Sequence, residues 1–366
     1  MGLSRQNGRW PDTRNGNVRA GKHAQGRRPD RRGRSQSGAF PKLFAIGLTL
    51  FTAFVLLDTF AIARVQGEVR TVDFASITAT AEAAETSEVA ASHTASSAES
   101  AQSTESTSGS AAGDTSLQTA MESSVQDAKW SYSDSNIAVA ISELRAYDTD
   151  IYIADVRVSS AEYLKTALAQ NAYGRNLKEE TSDMAEANNA ILAINGDYYG
   201  FRDDGYVLRN GVLYRDQAAS GTDALVVYTD GTMAAANQDN VAADELADAG
   251  AWQVLSFGPV LIQDGEVAVG EHDEVDRAKA SNPRTAIGMI DPLHYIVVVS
   301  DGRTDESEGL TLYELAQVMK DAGATFAYNL DGGGSSTMWF QGETINNPSS
   351  GHRSGEREVS DIVYFG

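Results

Sequence analysis

Cysteine is absent from the 366-residue chain, and positive charge is scarce outside its first 42 residues. Without cysteine, disulfides, thiolate metal sites and cysteine nucleophiles are excluded. The three histidines of the C-terminal part, His272, His294 and His352, lack an HExxH-like spacing, so no histidine zinc site is expected. Residues 1–42 hold eleven Lys or Arg against two Asp, which leaves the rest of the −22 chain near −31. Such an acidic body repels phosphate backbones, and no nucleic-acid partner is expected.

The N-terminal part divides into a basic tail and an apolar run. Residues 1–42 have almost no apolar side chains to bury and are predicted to be a disordered cytoplasmic tail. Residues 43–63, LFAIGLTLFTAFVLLDTFAIA, have the length and apolarity of a single membrane-spanning helix. Because the positive charges precede this run, the positive-inside rule predicts a type II signal anchor with the rest of the chain outside the cytoplasm. The alternative is a secreted protein, cleaved near Ala63 at a small-x-small site.

Two further regions follow. Residues 64–129, dominated by Ala, Ser, Thr and Glu, are predicted to form a low-complexity, flexible stalk. Residues 130–366 are predicted to form the folded domain. Strand pairs are predicted around the Asp-Gly turns at residues 230–231 and 264–265, and around Asp291 and Pro292. Helices are predicted over residues 160–170, 182–189 and 310–323. Hairpins outnumber βαβ units, which predicts an α+β domain with a mixed, largely antiparallel sheet and flanking helices.

The segment NLDGGGSSTMWF, residues 329–340, carries the most chemical information. Three glycines after a buried strand let backbone amides approach a ligand closely, as a phosphate cradle requires. Asp331 stands at the strand end, and Ser335 adds a hydroxyl. A glycine-rich turn capped by an aspartate is the structural alternative. The segment lacks the GK[ST] ending of a Walker loop.

Other polar side chains also stand at strand ends. Arg284 precedes a strand, Asp301 and Arg303 follow one, and Arg357 precedes the last; a guanidinium suits a phosphodiester because its fork donates parallel hydrogen bonds. A surface salt bridge is the alternative for Arg284. The segment INGDYYGF, residues 194–201, adds aromatic rings that could stack on a sugar or pack in the core.

The chain resembles the phosphodiester glycosidase family over residues 190–366. The motifs that carry the resemblance are, in order, NGDYYG, SFGPVLIQDG, NPRTAIG, SDGR, NLDGGGSSTM and R-x-V-S. The resemblance implies hydrolysis of a sugar-1-phosphodiester at the bond between the anomeric carbon and oxygen, in a cell-surface or exopolysaccharide context. Carried onto this chain, the motifs imply substrate or phosphate binding by Asn195, Gly196, Arg284, Thr285, Arg303, Gly332, Gly333, Gly334, Ser335 and Arg357. The last motif also includes Ser360.

For catalysis, Asp331 is the first choice as general base or nucleophile, with Asp301 or Asp197 as second carboxylate. At Asp197 the chain departs from the family pattern. No cofactor is identified: carboxylates such as Asp203 and Asp204 offer oxygen ligands to a divalent cation, but without an EF-hand-like spacing. Two other functions stay open, a noncatalytic module that binds a wall or capsule glycan and a phosphodiesterase that cuts the phosphorus–oxygen bond.

Overall fold

A computed structural model describes residues 39–60, 62–81, 128–273, 281–350 and 353–366. By its contacts the chain divides into two units, Met1–Phe54 and Val55–Gly366. Residues 1–38 of the tail predicted over 1–42, and residues 82–127 of the predicted stalk, lie outside the described residues.

Helix α1, Ala39–Phe60, coincides with much of the apolar run. Within the described ranges, however, no helix combines the length and the apolarity needed to cross a membrane. Membrane attachment stays a prediction.

The strands are short and numerous. The first eleven are β1 Arg64–Glu68, β2 Trp130–Ser133, β3 Ile137–Ala146, β4 Thr149–Val158, β5 Leu164–Leu168, β6 Ala172–Arg175, β7 Leu192–Asn195, β8 Val207–Arg209, β9 Val212–Arg215, β10 Asp223–Tyr228 and β11 Met233–Asn237. The others are β12 Ala251–Leu255, β13 Val260–Gln263, β14 Glu266–Val267, β15 Arg284–Asp291, β16 His294–Ser300, β17 Phe326–Asn329, β18 Met338–Phe340, β19 Glu343–Thr344, β20 Ser349–Ser350, β21 Arg353–Ser354 and β22 Asp361–Phe365. Three further helices are α2 Thr181–Ala187, α3 Ala243–Asp248 and α4 Leu312–Asp321.

In the described residues, three large sheets and two two-stranded sheets, β1-β6 and β20-β21, build the second unit. An eight-stranded sheet has the order β14-β13-β17-β15-β16-β4-β3-β2, and two five-stranded sheets have the orders β11-β10-β12-β8-β9 and β19-β18-β7-β22-β5. All strand pairs assigned in the described residues are antiparallel. The α+β class and the largely antiparallel pairing are thus confirmed, and the strands form several sheets where one was expected.

One core joins the sheets. Val139 and Val297 of the large sheet and Ile194 of β7 belong to the same buried cluster. Full burial of such a side chain contributes about 1.5–3 kcal/mol relative to exposure. Helix α4 packs in a second buried hydrophobic cluster. The helix begins with a capping box, in which the Thr311 side chain accepts from the amide of Glu314.

The prediction of a helix over residues 160–170 is wrong. A 3₁₀ turn over Ala161–Tyr163 is followed by β5, in which Leu164, Thr166 and Leu168 are buried and the intervening residues are half-buried. This period of two is the pattern of a strand with one buried face, and pairing with β22 satisfies its backbone groups. The helices predicted over 182–189 and 310–323 correspond to α2 and α4.

Part of the range predicted as stalk contacts the folded domain. Strand β1 pairs with β6. Further along, the Arg70 guanidinium lies 5.8 Å from the Tyr214 ring centroid, and Phe74 packs edge-on against Trp252 with ring centroids 4.9 Å apart. Residues 64–81 therefore lie against the domain along this stretch.

Candidate active site

Four chain segments enclose a cavity of about 220 Å³. They are the loop between β6 and α2, the loop after β7, the loop after β17 and the residues that precede β22. The lining residues are Lys178, Gly196, Tyr198, Phe201, Asp331, Ser335, Arg357, Glu358, Val359 and Ser360. The volume is below the roughly 300–1,000 Å³ typical of pockets for drug-sized ligands. It suits one sugar ring rather than an oligosaccharide.

Asp331, Ser335 and Arg357 form a hydrogen-bonded group at this cavity. The Ser335 hydroxyl donates to Oδ2 of Asp331 at 2.5 Å, and Nη2 of Arg357 donates to the same oxygen at 3.0 Å. Nε of Arg357 also donates to the Ser335 hydroxyl at 2.9 Å. Burial raises the pKa of the Asp331 carboxyl above its ordinary value, although Arg357 and the Ser335 hydroxyl act in the opposite direction.

The backbone of Asp331 is held in place by the loop after β7. Nδ2 of Asn195 donates to the carbonyl oxygen of Asp331 at 2.6 Å, and the Asp331 amide donates to the carbonyl of Gly196 at 3.2 Å. Oδ1 of Asn195 accepts from the Thr285 hydroxyl at 2.8 Å and from the Thr337 amide at 3.3 Å. Asn195 and Thr285, predicted to bind substrate, are therefore fully engaged with the protein and position Asp331.

The glycine turn is only partly available as a phosphate cradle. Gly333 has a φ of 63°, and its amide donates to the carbonyl of Pro283 at 2.8 Å. The amides of Ser335 and Ser336 bond the carbonyls of Gly332 and Gly333 within the turn. Of this turn, Ser335 lines the cavity, while Gly332, Gly333 and Gly334 lie outside its lining.

Two predicted arginines lie near the turn without lining the cavity. Nη2 of Arg303 donates to Oδ1 of Asn282 at 2.8 Å, and burial together with the positive charge of Arg357 lowers the pKa of Arg303. Nε of Arg284 donates to the carbonyl of Leu310 at 2.9 Å, and its side chain is buried. Arg303 thus adds positive charge beside Arg357, whereas Arg284 holds the chain at the start of β15.

Asp197 belongs to a separate, fully buried ionic cluster. Its Oδ2 lies 2.9 Å from Nη2 of Arg209, which also donates to Oδ2 of Asp361 at 2.8 Å. The Asp197 amide donates to Oδ1 of Asp361 at 3.1 Å. Burial, followed by the charge of Asp197, raises the pKa of Asp361 to about 7, against the opposing effect of Arg209. This cluster fixes the loop that carries Gly196.

Asp301 also lies away from the cavity lining. Its Oδ1 accepts from Nδ2 of Asn346 at 3.1 Å and from the amide of Asn347 at 2.8 Å. Burial raises the pKa of its carboxyl. Neither predicted second carboxylate therefore faces the cavity with Asp331.

Aromatic and charged side chains form the wall and rim. Tyr198 and Phe201 stack with ring centroids 4.6 Å apart, and Tyr198 is exposed with a left-handed φ of 69°. At the rim, Nζ of Lys178 lies 2.6 Å from the Glu358 carboxylate. Stacked rings present an apolar face of the kind that binds sugar C–H groups.

Ser360 contributes a buried hydroxyl that has no hydrogen-bond partner in the described part of the chain. The residue is 1% exposed and lines the cavity. A Cβ atom at Gly200 would lie 2.6 Å from its Oγ, so glycine is needed there. A buried hydroxyl that borders a cavity and lacks a protein partner is placed to bond a ligand.

No sequence motif singles out Lys178, Glu358, Arg209 or Asp361. Lys178 and Glu358 lie in polar stretches where nothing distinguishes them from solvent-exposed charges. Arg209 carried one signal, since it is a lone cation in a short strand whose neighbours are apolar. Among the described residues, no group of His, Asp and Glu is arranged to hold a metal ion.

Comparisons with known proteins give the class of this domain. Residues 188–366 match the family model described as phosphodiester glycosidase. The C-terminal half of the chain therefore belongs to the phosphodiester glycosidase family, and the resemblance is confirmed.

Individual relatives agree with this assignment. The chain is 33% identical over 198 residues to the SPβ prophage-derived uncharacterized protein YomE of Bacillus subtilis, covering 52% of this chain and 30% of that protein. It is 31% identical over 127 residues to the mouse N-acetylglucosamine-1-phosphodiester alpha-N-acetylglucosaminidase, covering 30% of this chain and 24% of that protein. The matches span less than a third of these relatives.

A solved structure has the same fold. The zebrafish N-acetylglucosamine-1-phosphodiester alpha-N-acetylglucosaminidase catalytic domain, auto-inhibited by its pro-peptide, superposes with a TM-score of 0.52 at 21% identity. The match covers 65% of this chain and 85% of that one.

Proposed function

We propose that the domain is a hydrolase that cleaves a sugar-1-phosphodiester between the anomeric carbon and the phosphodiester oxygen. The observation that carries this proposal is the group of Asp331, Ser335 and Arg357 at a cavity the size of one sugar ring. The mouse relative is named for a substrate with this linkage.

Each side chain has a role in this reaction. Arg357, whose side chain is 40% exposed, binds the phosphodiester and holds the negative charge that develops on the leaving phosphate. Tyr198 and Phe201 bind a face of the sugar ring. Asp331 either activates a water molecule as a general base or attacks the anomeric carbon as a nucleophile. The Ser335 hydroxyl orients the Asp331 carboxylate.

One carboxylate is sufficient for this bond. Glycosidases usually need a second carboxyl group to protonate a poor leaving group. Because a phosphate leaves as a stabilised anion, the positive charge of Arg357 takes the place of the carboxyl group that would protonate a poor leaving group. Both Asp197 and Asp301 are bonded elsewhere, and we assign them structural roles.

The reaction class is tested by turnover of a synthetic sugar-1-phosphodiester in ¹⁸O-labelled water. Cleavage at the anomeric carbon puts the label into the released sugar. Label in the phosphate would instead identify a phosphodiesterase that cuts the phosphorus–oxygen bond. Binding of the substrate without any hydrolysis would identify a noncatalytic module. Asp331→Asn is the control, since a contaminating hydrolase would leave its activity unchanged.

We further propose that the domain works outside the cytoplasm on a wall, capsule or exopolysaccharide glycan. The support is the sequence, in which a basic tail precedes the apolar residues 43–63. Protease added to intact cells should digest the domain. Sequencing the N-terminus of the mature protein would separate a retained anchor from cleavage near Ala63, and a protease-resistant domain would contradict export.

A further inference from the structure

A second cavity, here called the arginine pocket, borders the same loop as the candidate active site. Its volume is about 80 Å³, and Arg175, Arg202 and Arg215 line it. Tyr199 and Gly200 of the loop line this pocket, whereas their neighbours line the active-site cavity. The two cavities have no lining residue in common, so the arginine pocket is a separate site.

The lining of the arginine pocket carries excess positive charge. Its acidic member is Asp203, which pairs with Arg175 and whose side chain is 79% exposed. The other two guanidiniums donate to backbone carbonyl oxygens, for example from Nε of Arg215 to Gly205 at 2.6 Å. Carbonyl oxygens accept hydrogen bonds but do not neutralise a cation. The lining itself thus holds three positive charges and one exposed negative charge, while the carboxylates of Asp197 and Asp204 act on Arg215 from outside the lining.

One buried polar atom of the lining lacks a partner. Nε of Arg175 has none in the portion of the chain that the structure describes, whereas the Tyr199 hydroxyl accepts from the Gly174 amide. Tyr199 is 2% exposed and stacks on Tyr173, with ring centroids 5.5 Å apart. Burial lowers the pKa of Arg215, which reflects the cost of enclosing this cation. An anion in the pocket would accept from Nε of Arg175 and offset that cost.

We propose that the arginine pocket binds a small tetrahedral oxyanion, either inorganic phosphate or a terminal phosphomonoester. Guanidinium forks match the spacing of phosphate oxygens. At about 80 Å³ the pocket has the room of two or three water molecules. That is enough for one such ion and too little for a sugar ring. The proposal does not depend on the hydrolysis proposed for the other cavity.

Calorimetric titration with inorganic phosphate tests this site on the full chain. The Arg357→Gln background removes the cation of the active-site cavity, so that the remaining site is observed alone. In this background, Arg175→Gln should weaken phosphate binding by at least about tenfold, as expected for the loss of a charge-assisted hydrogen bond. Arg145→Gln removes the same charge from an exposed ion pair and should leave the affinity unchanged.

Asp203→Asn should change the phosphate affinity in the opposite direction, and it alters only an exposed side chain. Loss of its charge should strengthen phosphate binding up to about fivefold, and this variant decides the question if Arg175→Gln does not fold. Glucose 6-phosphate is titrated as well, because its terminal phosphate would enter while its sugar stays outside. Binding of either ligand that Arg175→Gln weakens, or that Asp203→Asn strengthens where Arg175→Gln does not fold, supports the site. Absence of binding in the Arg357→Gln background, or equal affinities in all variants, overturns it.

Discussion

Replacing Asp361 by asparagine should remove a pH dependence from the stability of the domain. Asp361 is fully buried with Asp197 and Arg209, so two carboxylates share one cation. Its pKa of about 7 in the folded state exceeds its ordinary value of 3.8. The folded state therefore takes up a proton that the unfolded state has lost over this pH range.

The direction and the size of the pH effect on stability follow from this difference in pKa between the folded and unfolded states. The contribution of Asp361 is fully present below about pH 4 and is lost as the pH rises through about 7. One pH unit corresponds to about 1.4 kcal/mol per proton, so the interval between 3.8 and about 7 corresponds to about 4 kcal/mol.

Urea unfolding at several pH values between 4.5 and 8 measures this effect. The wild-type free energy of unfolding should fall relative to that of the Asp361→Asn variant as the pH rises. Burial also raises the pKa of Asp331 and Asp301, but these groups are present in both proteins and cancel in the difference. Asp203→Asn, at an exposed site, should keep the wild-type slope. An unchanged slope in the Asp361→Asn protein would refute the reasoning.

Three further predictions concern the active-site cavity. Asp331→Asn should lower kcat by about 10²–10⁴-fold while the circular dichroism spectrum is unchanged, because the carboxylate acts in the reaction; retained turnover would remove Asp331 from catalysis. The acid limb of the kcat/KM profile should lie above the ordinary aspartate pKa of 3.8, because burial raises the pKa of Asp331; a limb at or below that value would contradict this assignment. Ser360→Ala should raise KM by about fivefold to tenfold, as expected for one lost hydrogen bond. Ser336→Ala, which removes another buried hydroxyl without a partner, should leave KM unchanged, and equal effects of the two substitutions would show that Ser360 does not touch the substrate.

The centre of the candidate site could be predicted because its chemistry is local. Asp331 and Ser335 belong to one glycine-rich segment, and Arg357 precedes the last strand within the resemblance. The three side chains meet at one oxygen, as their shared assignment to the site implied. Short-range turn chemistry explains why, since a glycine turn after a buried strand brings Ser335 back over Asp331.

Two other carboxylates show what the sequence could not reveal. Asp197 and Asp301 also follow strands, so their positions resembled that of Asp331. The direction that each side chain faces is decided by partners far away in the chain, Asp361 for the first and Asn346 for the second. Neither pairing leaves a local pattern, because burial and long-range hydrogen bonds depend on the assembled sheets.

The prediction of a helix over residues 160–170 was wrong for a related reason. The segment 160–170 contains residues with good helix propensity, yet Leu164–Leu168 pairs with β22, more than 190 residues later. Tertiary pairing outweighs propensity where one face of a strand is buried. Asp-Gly turns, by contrast, were reliable guides to β10–β11 and β13–β14 because the backbone of the turn itself requires those residues.

The order of the large sheet has a consequence for the smallest piece of this chain that can fold. Strand β16 pairs on one side with β15 and on the other with β4, along the whole of its length. A fragment limited to residues 188–366, the range that matches the family, would leave one side of the apolar β16 without a neighbour. Unpaired apolar edges recruit other chains. Such a fragment should aggregate on expression, whereas one that starts before β2 should stay monodisperse.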